Sequence, residues 1–228
     1  MDTGNILLIH ADYTRRATVV PGQHRWLASP QGGVDRVMLD RLGGERARAT
    51  SLVRYAPGAH FPVHQHPGGE EILVLSGTFS ADGEQYPAGS YLRNPPGSSH
   101  HPSSSDGAVL FVKLWQMTDD EQAALRIDTR DSTHWQDQGD RDICPLFSNK
   151  NEQVSLQHLA PEAVLSIDEA ELLVLEGELL SDGLCFPRHS WLRLPPGDRL
   201  TLRASTHGAT IYLKTGHMAY LSSLGAPC

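Results

Sequence analysis

The chain reads as short apolar runs cut by Gly, Pro and Ser. "TSLVRYAPG", "EEILVLSGTFSADG", "GSYLRNPPG" and "AVLFVKLWQ" each pair a strand-length apolar segment with a turn signal. Long helical periodicity is scarce. The best helical candidate is "TDDEQAALR", Thr118 to Arg126, with Thr118 as N-cap, Glu121 three residues on and acids in the first turn. It lies midway and is expected to join two halves. In the run that starts at Glu70, Ile72 and Val74 share one strand face, and Leu73 and Leu75 the other. A strand apolar on both faces is covered on both sides. The outer face is therefore expected to pack on another barrel, within the chain or in a homodimer.

The pattern is written twice. "EEILVLSGTFSADG" is echoed by "AELLVLEGELLSDG", "SYLRNPPG" by "SWLRLPPG" and "GAVLFVKL" by "GATIYLKT". Upstream, "VSLQHLAPEA" matches "TSLVRYAPGA" with four residues lost between it and the next matched segment. These signals predict an all-β chain of two tandem barrels, residues 1–117 and 118–228. Positions shared by both copies, Arg93/Arg193, Lys113/Lys214, Pro95/Pro195 and Gly97/Gly197, read as structural.

Composition narrows the functions. A chain of 228 residues with 39% hydrophobic and 20% charged residues is globular. A net charge of −8 argues against nucleic acid or an anionic membrane as partner. The basic run "RLGGERARA", Arg41 to Ala49, reads as a solvated turn and strand edge. The N-terminus shows no basic leader, and no segment is long enough to cross a bilayer. Cys144, Cys185 and Cys228 are far apart and form no paired motif. A reducing cytoplasm is the expected compartment; Cys144 and Cys185 are expected to be small buried hydrophobes.

One corner is rich in ligand-capable side chains. In "HFPVHQHPGGEEILVLSG", His64 and His66 stand two apart and share a strand face. Glu70 opens the next strand, and His100 follows "NPPGSS". Two histidines, a carboxylate and a distant third histidine suit one divalent transition metal, with zinc first and Fe, Mn or Ni as alternatives. His101 and Glu71 are expected to point away, as surface or supporting groups. His60 reads as a loop residue; Tyr91, Phe111 and Trp115 read as core. His158, His189, His207 and His217 have no ligand spacing.

Here the sequence resembles the cupin superfamily. Gly58, His64, His66, Glu70 and Gly77 fit its first motif, and Gly89, Pro95, Gly97 and His100 fit its second, with Ser104 where an Asn usually stands. "HPGGEEILVLSG" and "PPGSSHHP" resemble more narrowly the cupin-type domain of ChrR anti-sigma factors. That resemblance implies a jelly-roll fold, a zinc site at His64, His66, Glu70 and His100, and a module sensing a ligand or stress in transcriptional regulation. In such proteins a separate N-terminal helical domain holds the sigma factor. No clustered His and Cys precede the first barrel here, so a direct sigma-factor complex is not expected. The alternative is a metal-dependent dioxygenase or isomerase acting on a small oxygen-rich substrate, bound at the metal. No catalytic residue is assigned. In the second copy Ala170 replaces Glu70, Leu200 replaces His100, and the His-x-His segment shrinks to "VLSIDEAE". The chemistry is expected in the first copy alone.

Overall fold

The computed structural model describes residues 7–44 and 46–223. They fall into two compact units. One takes residues 7–11 and 25–130, the other 12–24 and 131–223.

In the first unit the strands that build the site are β1 (Val34–Gly43), β2 (Ala47–Tyr55), β3 (His64–His66), β4 (Glu70–Ala81), β5 (Ser90–Asn94), β6 (Ser98–His100), β7 (Ala108–Leu114) and β8 (Leu125–Asp128). One antiparallel sheet runs β1–β2–β7–β4–β5–β8, with Leu7–Ile9 outside β1. β3 and β6 form a separate ribbon, in which His64 pairs with His100 and His66 with Ser98. The far end of β4 leaves the first sheet and folds back on Glu84–Pro87. That hairpin turns at Asp82 and Gly83, whose φ values of 52° and 89° are those a tight two-residue turn demands. The result is a jelly-roll sandwich whose sheets stay open rather than closing into a continuous barrel.

The alternation in β4 decides its packing. Ile72, Leu73 and Val74 are all buried, so both faces are covered. Ile72, Val74 and Phe79 meet Val34, Leu92 and Leu110 in the core. Each such side chain contributes about 1.5–3 kcal/mol by leaving water. Gly77 permits the crossing of β4 and the turn before β7. Its φ is 70°, and a Cβ there would stand 1.9 Å from the Gly107 carbonyl oxygen. Gly177 repeats the arrangement, with φ 68° and the Gly208 carbonyl 2.4 Å away.

The helix expected over Thr118–Arg126 does not form. A turn is followed by β8, which pairs with β5 from Leu125 opposite Arg93 to Asp128 opposite Ser90. Half of the cap is present: the Thr118 backbone N–H donates to Glu121 Oε1 at 3.4 Å. The same carboxylate accepts from Nε and Nη2 of Arg93, both at 2.7 Å. A guanidinium that is 1% exposed needs its charge met. That demand, together with the open edge of β5, outweighs the few tenths of a kcal/mol per residue that helix propensity offers.

The second unit contains β9 (Arg141–Ser148), β10 (Gln153–Leu159), β11 (Val164–Ser181), β12 (Leu184–Pro187) and β13 (Trp191–Thr215), in the order β9–β10–β13–β11–β12. Ala17–Val19 adds to β13, and a short helix, α1, spans His217–Ser223. Asp182 and Gly183 repeat the hairpin turn of the first unit, with φ 47° and 78°. Cys144 is buried as expected, but Cys185 is exposed and donates to Glu178. It sits on the outer strand of the hairpin, where Phe186 alone is buried. Cys228 lies outside the described residues. No helix among them is long and apolar enough to cross a membrane.

Candidate metal centre

β3, β4 and β6 bring the three histidines together. The ligand-capable nitrogens of His64, His66 and His100 all lie within 4.8 Å of one another. His66 Nε2 stands 2.9 Å from His100 Nε2. Glu70 Oε2 lies 3.4 Å from His66 Nε2 and 3.5 Å from His100 Nε2. Two ligands about 2.1 Å from one ion are separated by roughly 3.0 Å at right angles and roughly 3.4 Å in a tetrahedron. The spacings between His66, His100 and Glu70 match those values. The three-histidine cluster can hold a metal, and Glu70 closes on two of its members.

Each side chain is steered. His64 Nδ1 donates to the Pro62 carbonyl at 2.9 Å, which leaves Nε2 for a ligand bond. The Pro-Gly-Gly turn after His66 returns the chain so that Glu70 enters at the start of β4. Gly68 fits there because a Cβ would fall 2.4 Å from the Trp115 ring. Asn94, next to Glu70 on β5, donates its Nδ2 to Glu70 Oε2 at 3.0 Å. Arg126 on β8 in turn donates to Asn94 Oδ1 at 2.6 Å. Ser104, at the position of the missing Asn, is buried and donates to the Thr78 carbonyl at 2.7 Å. It serves the fold.

The electrostatics favour a cation. Burial pushes His66 down to about 4, with His64 adding to the effect. Burial also lowers His100, against the pull of Glu70. Neutral imidazoles with free lone pairs are ligand-ready at neutral pH. Burial raises the Glu70 carboxyl, opposed by His100 and the Asn94 hydrogen bond. A cation beside it would offset that penalty.

The cluster opens on a cavity of about 390 Å³. Its walls include Ile72 and Val112 from the core, Ala49 and Ser51 of β2, and Trp115. Trp115, expected in the core, is half-buried and borders this cavity, because at φ 60° the chain turns sharply as β7 ends. Tyr91 and Phe111 are core. Glu71 is neither surface nor ligand: it is buried and accepts from Arg93 Nη1 at 3.0 Å. His101 is exposed. His60 belongs to a short strand rather than a loop, paired with Ser103. The run from Arg41 to Ala49 is not a solvated edge. Arg48 is 2% exposed, and Arg41 and Arg46 border the cavity.

In the second unit the corresponding place is apolar. Ala170 is fully buried in the core, and Leu200 packs against it. Asn94, which the sequence reading missed, had a visible signal: "RNPPG" in one copy stands against "RLPPG" in the other. Leu194 accordingly lies opposite Ala170, as Asn94 lies opposite Glu70.

Residues 14–118 match the model of the ChrR cupin-like domain family. No curated protein matches the sequence. Several solved structures share the fold. The bacterial pirin YhhW of Escherichia coli, solved with nickel(II), aligns at TM-score 0.63 and 13% identity over 89% of this chain and 99% of its own. Protein YlbA of Escherichia coli aligns at TM-score 0.66 and 15% identity over 94% and 95%. A candidate dioxygenase from Nostoc punctiforme aligns at TM-score 0.65 and 14% identity over 88% and 78%. At such identities the likeness speaks for the fold alone. Residues 14–118 are thus similar to the ChrR cupin-like domain, and the chain has the fold of its cupin neighbours.

Proposed function

We propose that the chain is a metal-binding double cupin that recognises a small molecule at one metal, held by His64, His66, Glu70 and His100 of the first unit. The observation that carries this reading is the joining of the ligand-ready cluster to a cavity of about 390 Å³. A purely structural metal needs no such space. Zinc is the first candidate, on the ChrR likeness; nickel in the pirin relative supports a wider choice. When bound, the metal would supply Lewis acidity and a docking point for oxygen donors. The chain's own residues do the rest. Asn94 and Arg126 orient Glu70, and Pro62 fixes the His64 ring. The likeness to the ChrR domain favours a sensory role in transcriptional regulation under stress. The three widely separated cysteines favour a reducing compartment, the cytoplasm.

The test is elemental analysis of protein from its own source, followed by retention of small metabolites on the metal-replete chain. One metal per chain, lost in His66→Ala, supports the reading. A metal-free protein that stays so after incubation with Zn, Fe, Mn and Ni overturns it.

A second reading is a dioxygenase or isomerase. It is favoured by the cavity beside the cluster and by the Nostoc relative. Metal-dependent oxygen uptake with small diketones, and no regulatory partner in a pull-down, would place it first.

A further inference from the structure

The cavity carries charge that the metal site does not use. Arg36 and Arg41 line it from β1, and exposed Arg46 borders it from the turn after β1. Glu70 is the only acid among the described lining residues, and it is engaged with His66, His100 and Asn94. The nearby acid Asp35 is taken by Arg54, at 2.6 Å. Among the described residues Arg36 has no carboxylate partner; its guanidinium lies over the Phe61 ring, 5.7 Å from the centroid. Phe61 in turn meets the His64 ring at 5.4 Å. One phenyl ring therefore spans the gap between the guanidinium and the cluster. Arg41 donates to the Gly44 carbonyl, and burial together with the charge of Arg36 lowers it. Two cations that repel each other across a half-buried cavity, in a chain of net charge −8, are an arrangement an anion would relieve.

The backbone is shaped for this. Along a regular strand, Arg36 and Met38 would be followed on the cavity face by residue 40, not 41. A bulge between Met38 and Asp40 shifts the register. It turns Arg41 onto the face of Arg36, opposite Ala49. Arg41 faces the small Ala49, flanked on the same face of β2 by Ala47 and Ser51, while Arg36 faces Val53.

The second unit is an internal control. β9 has the same bulge, between Pro145 and Phe147. By cross-strand register Ile143 there takes the place of Arg36, and Ser148 that of Arg41. The unit without the histidines is also the unit without the arginines, although its backbone is alike. Strand architecture alone therefore does not call for them.

We infer that the cavity of the first unit binds a small organic acid, its carboxylate seated on Arg36 and Arg41 and its other end at the His64, His66 and His100 cluster. This rests on the reading of that cluster as a ligand-binding metal centre, and it names the ligand class. A planar guanidinium pair suits a carboxylate, which it can meet with paired N–H donors. About 390 Å³ lies in the lower part of the range for small-molecule pockets.

The test uses the full chain loaded with zinc. Acetate, succinate, glutarate and benzoate are compared with their neutral amides by calorimetry and ligand-observed NMR, with metal content measured on the same samples. At least one acid should bind tenfold or more tightly than its amide. Arg36→Gln and Arg41→Gln should each weaken that acid about tenfold at unchanged metal content and melting temperature. Arg36→Lys should restore part of the loss, and Arg203→Gln, paired with Glu162 in the second unit, should change nothing. A metal-replete wild type that prefers no acid over its amide overturns the inference and leaves the metal centre standing. So does a folded Arg36→Gln, Arg41→Gln double variant that keeps the preference. Selection of an acid by protein that takes up no metal would support the arginine site and overturn the metal reading instead.

Discussion

Asn94 donates its side-chain N–H to Glu70 Oε2 at 3.0 Å, across adjacent strands, and so holds the carboxylate that stands beside the His66 and His100 rings. Partners of this kind commonly contribute 10–100-fold to metal affinity. Asn94→Ala should weaken zinc binding by about that factor without removing a ligand. Competition against a chelating dye would measure it. An affinity equal to wild type would mean that Glu70 is not a ligand, or needs no positioning.

His66→Ala or His100→Ala should reduce bound metal from one per chain to a small fraction. His158→Ala in the second unit, where the ring stacks on Trp135 at 3.8 Å, should leave the metal content untouched. Mass spectrometry under native conditions distinguishes these variants directly. Full occupancy in His66→Ala would place the metal elsewhere.

The pH dependence has a definite sign. His66 titrates near 4 when folded, against about 6.5 for a free imidazole. Between those values the unfolded chain holds a proton that the folded chain lacks, so stability falls as pH drops from about 6.5 toward 4. Glu70, raised by burial, acts in the opposite direction. The informative quantity is therefore the difference between wild type and His66→Gln. For chelator-treated protein, the melting temperature of wild type should drop more steeply over that window. Parallel curves would refute a neutral buried His66. Bound metal should be lost over the same acid range, because its imidazole ligands must be unprotonated.

Gly77→Ala should cost about 2 kcal/mol or more, from a left-handed backbone and a Cβ driven into the Gly107 carbonyl. Gly83→Ala, where a Cβ would meet nothing within 4 Å, carries the backbone strain alone and should cost less. Urea denaturation of the pair separates the two contributions. Equal losses would show that the contact at Gly77 relaxes.

Glu71→Ala should destabilise by about 3 kcal/mol, since it takes from the buried Arg93 one of the carboxylates that meet its charge, Glu121 being another. Hydrogen exchange should quicken first in β5 and in the segment that leads into β8, which Arg93 and Glu121 tie together. Uniform exchange throughout the unit would argue against that local role.

Much of this was legible in the sequence because it obeys local rules. The alternation of β4, the Asp-Gly turns and the doubled phrases announce the strands and their repetition. The histidines and Glu70 stand out through spacing alone. What escaped depends on partners far along the chain. Glu121 looks like a helix-capping acid until Arg93, 28 residues away, claims it. Arg36 and Arg41 look like members of opposite strand faces until the bulge is known. Trp115 looks like core until its φ of 60° is seen. Each miss is a case in which a buried charge or an irregular backbone overrode a short-range pattern.

The repeat in sequence is not modular in space. β8 completes the sheet of the first unit, although it begins at Leu125, beyond the matched residues 14–118. Ala17–Val19, at the other extreme, belongs to the second unit. A gene cut after residue 118 would leave the backbone groups of Ser90–Asn94 bare, an invitation to edge-to-edge association. The fragment would also lose Arg126, whose bond to Asn94 braces Glu70 beside the histidine cluster. Recombination at the apparent repeat boundary is thus penalised twice, in solubility and in chemistry. A working cut would have to fall after Arg130, and even there it would part β13 from Ala17–Val19.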